Sequence, residues 1–261
     1  LAMAKYCLSI GMEVCLADIN QGGLEEAARD LGDVLVIATD VTDLDQVARL
    51  KDAVYQRYGR VDLLMNNAGI GRPTKSWDDY DNWKSVIETN LWGVINGVHV
   101  FAPAMIEQGS PGAIVNTGSK QGITAPPGNP AYNVSKAGVK AVTEALAHDL
   151  RNTEGCQLSA HLLVPGFTYT GMIKAFLPEK PEAAWTPEQV VEYLVNAMGR
   201  QDFYILCPDN DTPREIDNRR MAWAMGDLIE NRPALSRWHP DYSASFEAFM
   251  NLPGAGSKRG L

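Results

Sequence analysis

Tyr132 and Lys136 stand four residues apart in Tyr132-Asn-Val-Ser-Lys136, where a stretch with helical periodicity begins. That spacing puts a phenol and an ammonium on one helical face. A nearby cation favours the phenolate, so the pair predicts a tyrosine whose pKa falls from ~10 toward neutrality and can act as a general acid/base. The pattern alone is weak: in a chain with nine tyrosines, such a pair arises by chance in about one sequence in three. Tyr80 and Lys84 repeat it. Context separates the two. Ser119 lies thirteen residues before Tyr132, just past the apolar run Ala113–Thr117, where its hydroxyl would emerge at the end of a strand. The position thirteen residues before Tyr80 is Asn67, and Tyr80 itself sits in Asp78-Asp79-Tyr80-Asp81, a charged stretch that reads as an exposed helix start.

Other strand ends carry residues suited to a flat, polar ligand. Asn67-Ala68-Gly69 follows the strand that closes on Asn66, and small residues there let a ring approach the backbone. Asp18 ends the strand before it in the ligand's path, where a carboxylate accepts hydrogen bonds from both ribose hydroxyls of an adenosine. Pro165-Gly166 closes another strand, and the hydroxyls or backbone of Thr168 and Thr170 could hold a carboxamide. Plainer readings exist for each fragment, since Asn-Gly and Pro-Gly pairs usually mark turns and a strand-terminal Asp often caps a helix. Their common position at strand ends is what argues for a site.

The elements that must position these residues alternate. Short apolar runs at Glu13–Ala17, Val34–Thr39, Val61–Asn66, Ala113–Thr117, Leu158–Val164 and Phe203–Cys207 predict strands. Helices are expected near Gln21–Leu31, Leu44–Tyr58, Asp79–Gln108, Pro130–Asn152 and Pro187–Met198, with Asp43 and Thr186 as N-caps and Gly59 and Gly109 closing two of them. Runs apolar throughout suit strands covered on both faces, so the expected fold is α/β with a doubly wound parallel sheet, a Rossmann fold, whose ligands bind beyond the carboxyl ends of the strands. Residues 1–210 would form this α/β domain. Residues 211–261 read as a helical extension whose aromatics pack on the body or on a partner subunit, ending in a basic glycine-rich tail expected to be mobile.

Composition narrows the class further. The 261 residues suffice for one domain, and 32 acidic against 23 basic side chains give a net charge of -9, which disfavours nucleic acid as a partner. No run reaches the roughly 18 apolar residues of a membrane span, and the start lacks signal-peptide features, so a cytoplasmic protein is expected. Cys7, Cys15, Cys156 and Cys207 show no paired spacing and read as core filler, and the histidines offer no metal signature.

Taken in order, Asn66-Asn67-Ala68-Gly69, Asn90, Ser119, Tyr132 with Lys136, and Pro165 to Thr170 resemble the short-chain dehydrogenase/reductase family, from Leu1 to about residue 208. The resemblance implies an NAD(P)-dependent oxidoreductase acting on CH–OH groups. It makes Tyr132 the acid/base and Lys136 its modulator and a ligand of the nicotinamide ribose. Ser119 becomes the donor to the substrate oxygen, and Asn90 the anchor of a water that joins the lysine to solvent. Cofactor contacts would come from Asp18, Ile19, Asp40, Val41, Asn67, Ala68, Gly69, Tyr132, Lys136, Pro165, Gly166, Thr168 and Thr170, with Asp40 meeting adenine. The carboxylate of Asp18, with no arginine in Ile19-Asn20-Gln21, favours NAD over NADP. The family's pocket positions correspond to Lys120, Gln121, Pro126, Tyr169, Met172, Ile173 and Phe176, mostly apolar, which suggests a hydrophobic, even aromatic, secondary alcohol or ketone. Lys120 reads as an exposed loop lysine, with a substrate carboxylate as its alternative partner. A homodimer or homotetramer through the long helices around 79–108 and 130–152 is also implied. One departure stands out: the family opens on a strand and a glycine-rich turn that cradle pyrophosphate, and Leu1 resembles the helix after that turn. The reading therefore expects about 15 to 25 further residues ahead of Leu1, whose strand would pair with both of its neighbours in the sheet. A sugar-nucleotide epimerase or dehydratase relative and a non-catalytic dinucleotide sensor are the alternatives.

Overall fold

A computed structural model describes residues 1–174 and 177–252. In chain order the elements are α1 (Ala2–Ser9), β1 (Cys15–Asp18), α2 (Gln21–Leu31), β2 (Leu35–Ala38), α3 (Leu44–Tyr58), β3 (Leu63–Asn66) and α4 (Tyr80–Ile87). A π-helical turn, Glu88–Trp92, leads into α5 (Gly93–Glu107), followed by β4 (Gly112–Thr117), α6 (Gln121–Thr124), α7 (Pro130–Asn152) and β5 (Leu158–Val164). The chain continues through α8 (Gly171–Lys174), α9 (Pro187–Gly199), β6 (Tyr204–Leu206), α10 (Arg214–Ile229), two short 3-10 turns and α11 (Ser243–Met250). The helix expected over 79–108 is thus interrupted by the wide turn at 88–92.

Local chemistry explains most boundaries. Asn20 accepts from Gly23 N at 3.1 Å, Asp43 accepts from Asp45 N and Gln46 N, and Thr186 forms a reciprocal capping box with Gln189. Gly59 ends α3 in the left-handed region at φ 75°, where a side chain would be strained.

All strand pairs are parallel. β3-β4-β5-β6 form one sheet and β1-β2 a second, so one edge of β1 and one edge of β3 have no strand neighbour among the described residues. The two pieces meet through side chains: Leu16 and Leu63 pack on the cluster of Ala4, Cys7 and Val14, while Cys15, Leu35 and Leu64 pack on the main core. Helices cover both faces, as β4 shows. Ile114 faces Val47 and Val54 of α3, Phe101 and Met105 of α5 and Leu146 and Leu150 of α7; Val115 faces Val190, Leu194 and Ala197 of α9. That alternation is the strand's period of two, serving two cores.

The C-terminal extension packs partly on itself and partly on the body. Its aromatics gather chiefly on one another, with the Trp223 ring 5.3 Å from both Phe246 and Phe249 and its Nε1 donating to Ser236 Oγ at 2.8 Å. Contact with the body comes from Met221, which joins Val94, Val139 and Leu206, and from an ion pair described below. The thiols of Cys7 and Cys207 are buried, and burial pushes Cys207 up to about 12 and Cys15 up to about 11. Among the described residues no helix is long and apolar enough to cross a membrane. The tail from residue 253 lies outside the described residues.

Candidate active site

In a parallel sheet every carboxyl end points the same way, so residues far apart in sequence converge at one edge. Asp18 ends β1, Asp40 and Val41 follow β2, Asn67-Ala68-Gly69 follow β3, Ser119 follows β4, and Pro165-Gly166 follow β5. Helix α7 begins just beyond this edge, capped by Asn129, whose Oδ1 accepts from Tyr132 N at 3.4 Å. Its N-terminal turns deliver Tyr132 half-buried and, one turn on, Lys136 at 4% exposure.

Ser119 lies close enough to Tyr132 to pull its phenol pKa down, and Ser119 Oγ accepts from Gln121 N at 3.2 Å. Lys136 does not behave as the spacing predicted. Its Nζ donates to Thr117 O at 2.7 Å and lies 5.8 Å from the centre of the Tyr132 ring. Burial dominates at both groups: it raises the phenol above its usual value, against a lowering pull from Ser119, and pushes the lysine down to about 8. The expected fall of the tyrosine pKa is therefore corrected for the chain by itself. The ammonium is aimed at a carbonyl rather than at the phenol oxygen.

Asn90 sits fully buried in the π-helical turn and spends its side chain on protein. Its Oδ1 accepts from Ile70 N at 2.7 Å, and its Nδ2 donates to Ile70 O at 2.9 Å and Ser135 Oγ at 3.2 Å. It pins the segment after β3 against α7. That clamp passes beside Gly69, where a Cβ would lie 3.3 Å from Asn90 Oδ1 and 3.7 Å from Lys136 Nζ, so glycine keeps the space next to the ammonium clear. Asn67 Oδ1 accepts from Thr117 Oγ1 at 3.0 Å, tying the ends of β3 and β4. Ala68 is exposed beside it.

The adenosine side is similarly built. Asp18 accepts from Asn20 N at 2.9 Å and is exposed, with Ile19 beside it at 71% exposure. Asp40 Oδ1 accepts from Thr42 N and Thr42 Oγ1, which orders the loop after β2, and Val41 O accepts from Asn96 Nδ2 at 2.9 Å. On the far side, Gly166 passes so close to the segment after β6 that a Cβ would meet Pro208 O at 2.8 Å, and Phe167 N donates to Asp209 Oδ2 at 3.1 Å. Thr168 Oγ1 donates to Gly166 O and pairs through its backbone with Trp185, leaving Thr170 exposed.

Two expected pocket residues are engaged elsewhere. Lys120 is neither exposed nor free for a substrate: its Nζ lies 2.7 Å from Asp217 Oδ2 and 3.3 Å from Asp209 Oδ2. The Tyr169 hydroxyl donates to Leu177 O at 3.1 Å and bonds Pro178 O. The Met172 side chain and Phe176 lie outside the described residues. Tyr80 is 80% exposed, with Lys84 3.8 Å from Glu88, which removes that pair from the site.

Sequence reading missed two glycines. A Cβ at Gly97 would fall 2.0 Å from Asn66 Oδ1, displacing Asn66 from Asn116, whose Oδ1 it bonds at 2.8 Å. A Cβ at Gly122 would meet the Lys136 carbonyl carbon at 2.4 Å. The only local hint for either is a glycine within a helical pattern.

These arrangements have counterparts. The short chain dehydrogenase family model matches residues 1–181. The chain is 37% identical over 175 residues to a 3-oxoacyl-acyl-carrier-protein reductase of Thermotoga maritima, spanning 65% of this chain and 69% of that protein. It is 27% identical over 248 residues to a 1-deoxy-11-beta-hydroxypentalenate dehydrogenase of Streptomyces exfoliatus, spanning 91% and 89%. The structure of a short chain dehydrogenase/reductase from Burkholderia phymatum in complex with NAD matches with a TM-score of 0.78 at 32% identity, covering 88% of this chain and 90% of that one.

Proposed function

The chain belongs to the short-chain dehydrogenase/reductase family of oxidoreductases acting on CH–OH groups, and from that premise we propose that it interconverts a hydrophobic secondary alcohol and its ketone, using NAD and Tyr132 as acid/base. The observation that carries this is the cluster itself. Ser119 and Tyr132 stand together at the carboxyl edge of the sheet, close enough for Ser119 to pull the phenol pKa down, with a buried lysine behind them. A sensor would have no need of all three.

The site fits a nicotinamide dinucleotide in the groups it presents. Asp18 and Ile19 would take the adenosine ribose, Asp40 and Val41 the adenine, and Asn67, Ala68 and Gly69 the middle of the molecule. Lys136 would reach the nicotinamide ribose across the space that Gly69 keeps clear, and Pro165, Gly166, Thr168 and Thr170 the carboxamide. When bound, the nicotinamide accepts or returns the hydride.

The chain's own part is proton and oxygen chemistry. Ser119 Oγ and Tyr132 Oη would hold the substrate oxygen from two sides, which fixes the carbon that loses hydride. In carbonyl reduction Tyr132 donates its proton to that oxygen; in alcohol oxidation the phenolate takes it back. Lys136, carrying its proton at neutral pH, stabilises negative charge on the phenol oxygen. Asn90 acts through position: it holds Ile70, and with it the approach beside Lys136. Pro126 and Ile173, apolar residues in the segments that follow β4 and β5, support a hydrophobic substrate.

NADH formation against a panel of secondary alcohols tests this reading, and silence across the panel in both directions would overturn it. The preference for NAD rests on the exposed Asp18 carboxylate, which would repel a 2′-phosphate. Wild type should turn over NAD at least tenfold better than NADP, and Asp18→Asn should shrink that ratio, a change worth ~1.4 kcal/mol per factor of ten. A clear NADP preference in the wild type refutes it.

A further inference from the structure

Ionic groups gather where the loop after β4 meets the C-terminal extension. Lys120, the residue after Ser119, is shared by Asp209 at 3.3 Å and Asp217 at 2.7 Å, and all three side chains are largely buried. On the same helix α10, Asp227 is held by Arg232 Nε at 3.1 Å and by the backbone and hydroxyl of Ser236. Each of these carboxylates has a partner, although Asp217, paired with Lys120, also lines the cleft described next.

Two guanidiniums are left over. Arg220 and Arg237 enter no ion pair among the described residues, and the buried Arg220 Nε has no hydrogen-bond partner. Both line one cleft, together with Lys120, Thr124, Asp217 and Met221. The Arg237 guanidinium lies 4.7 Å from the centre of the Trp238 ring and 5.3 Å from that of Phe246, which holds it in place rather than letting it swing to water. Burial and the charge of Arg220 both push Arg237 below the usual arginine range, with Asp217 opposing them in part. Two like charges fixed around one part-buried space cost stability unless a counter-charge sits between them. Guanidinium forks match the paired oxygens of carboxylate and phosphate.

We propose that Arg220 and Arg237 form a binding site for a small oxyanion, a carboxylate or a phosphate, at the junction of the serine loop and the C-terminal extension. An anion there would touch the cleft that Lys120 and Thr124 also line, so its occupancy reaches the loop that presents Ser119. The anion has two possible sources. If the substrate carries it, the site sets specificity for an acid-bearing alcohol, an arm that rests on the oxidoreductase reading. If it is free phosphate, the site stands independently of that reading.

The test uses the full chain. Tryptophan fluorescence is titrated with inorganic phosphate at constant ionic strength for wild type and Arg220→Gln, with circular dichroism confirming the fold. Arg220→Gln is preferred because Arg237 also stacks on aromatics, and Arg237→Gln is the second variant. Phosphate should bind the wild type, and its affinity should fall at least tenfold in each variant. In parallel, kcat/KM is compared for a hydroxy acid and its methyl ester. A tenfold or greater loss for the acid alone in Arg220→Gln, with phosphate competing, assigns the anion to the substrate; equal effects on acid and ester assign it to a free ion. Arg220-dependent phosphate binding by a chain that oxidises no alcohol supports the site while counting against the proposed function. Identical titrations of wild type and the double variant, or no response to phosphate together with an unchanged acid-to-ester ratio, overturn the proposal.

Discussion

Gly122→Ala should damage catalysis through backbone packing alone. Helix α6 lies against α7 so closely that the new Cβ would sit 2.4 Å from the carbonyl carbon of Lys136, 2.6 Å from its oxygen and 2.7 Å from Ala137 N. These are backbone atoms in a long helix and cannot rotate aside. Ordinary contact begins near 3.4 Å, so α6 must retreat by about 1 Å. Ser119 moves with it, because Gly122 N donates to Ser119 O at 3.0 Å and Gln121 N to Ser119 Oγ at 3.2 Å. A misplacement of ~1 Å at a positioning group costs on the order of 10²-fold in rate, about 2.7 kcal/mol of transition-state stabilisation. Overpacking adds a stability loss of roughly 1–3 kcal/mol. The assay is kcat on an alcohol identified by the panel, with the melting temperature alongside. Gly199→Ala is the control, since nothing lies within 4 Å of its Cβ. In a Ser119→Ala background the Gly122→Ala effect on kcat should nearly vanish, because both changes remove the same interaction. A Gly122→Ala enzyme with kcat within threefold of wild type and an unchanged melting temperature would refute the reasoning, as would full additivity with Ser119→Ala.

Two further outcomes follow from the site. Tyr132→Phe should lower kcat by about 10²–10⁴ with little change in NAD affinity, while Tyr80→Phe, at a position 80% exposed, should do little; equal losses would sink the assignment. Lys136 is held at about 8 against an ordinary lysine value of 10.5. The fold therefore disfavours its charged form, and this penalty is complete below pH 8 and fades as pH rises toward 10.5. Denaturant midpoints should show wild type gaining up to about 3 kcal/mol relative to Lys136→Met across that window. A difference that stays flat or falls would contradict the burial of the ammonium.

How much of this was legible in the sequence depends on the range of the interaction. β5 and helices α2, α3 and α7 occupy the expected residues, because their ends are set by local chemistry such as the Asp43 cap and Gly59 in the left-handed region. The strand-end residues converge as expected, since parallel topology carries every carboxyl terminus to one edge. What escaped was tertiary. The partners of Lys120 lie on the segment after β6 and on α10, and nothing near position 120 announces them. The wide turn at 88–92 has no composition signal, and a helical glycine does not reveal whether it grants freedom or permits contact until its neighbour is known. Tyr-x-x-x-Lys spacing places two groups on one face but leaves the aim of a flexible ammonium open.

That last point changes how the proposed catalytic pair is understood. Burial acts on both members in opposite chemical senses, keeping the proton on Tyr132 and loosening it on Lys136. A phenol held above its usual value keeps its proton at neutral pH but gives it up less readily, and its phenolate, though scarce, is the stronger base. In the proposed reaction, reduction starts from this protonated phenol, Tyr132 giving its proton to the forming alkoxide while Ser119 steadies the same oxygen. Oxidation needs the phenolate, and the ammonium, anchored on Thr117 O and 5.8 Å from the ring centre, does not supply it alone. Positive charge or water entering the space that Gly69 leaves clear beside Lys136 would favour that ionisation. Gly69 matters to the proposed pair for that reason, since a side chain there would crowd the ammonium.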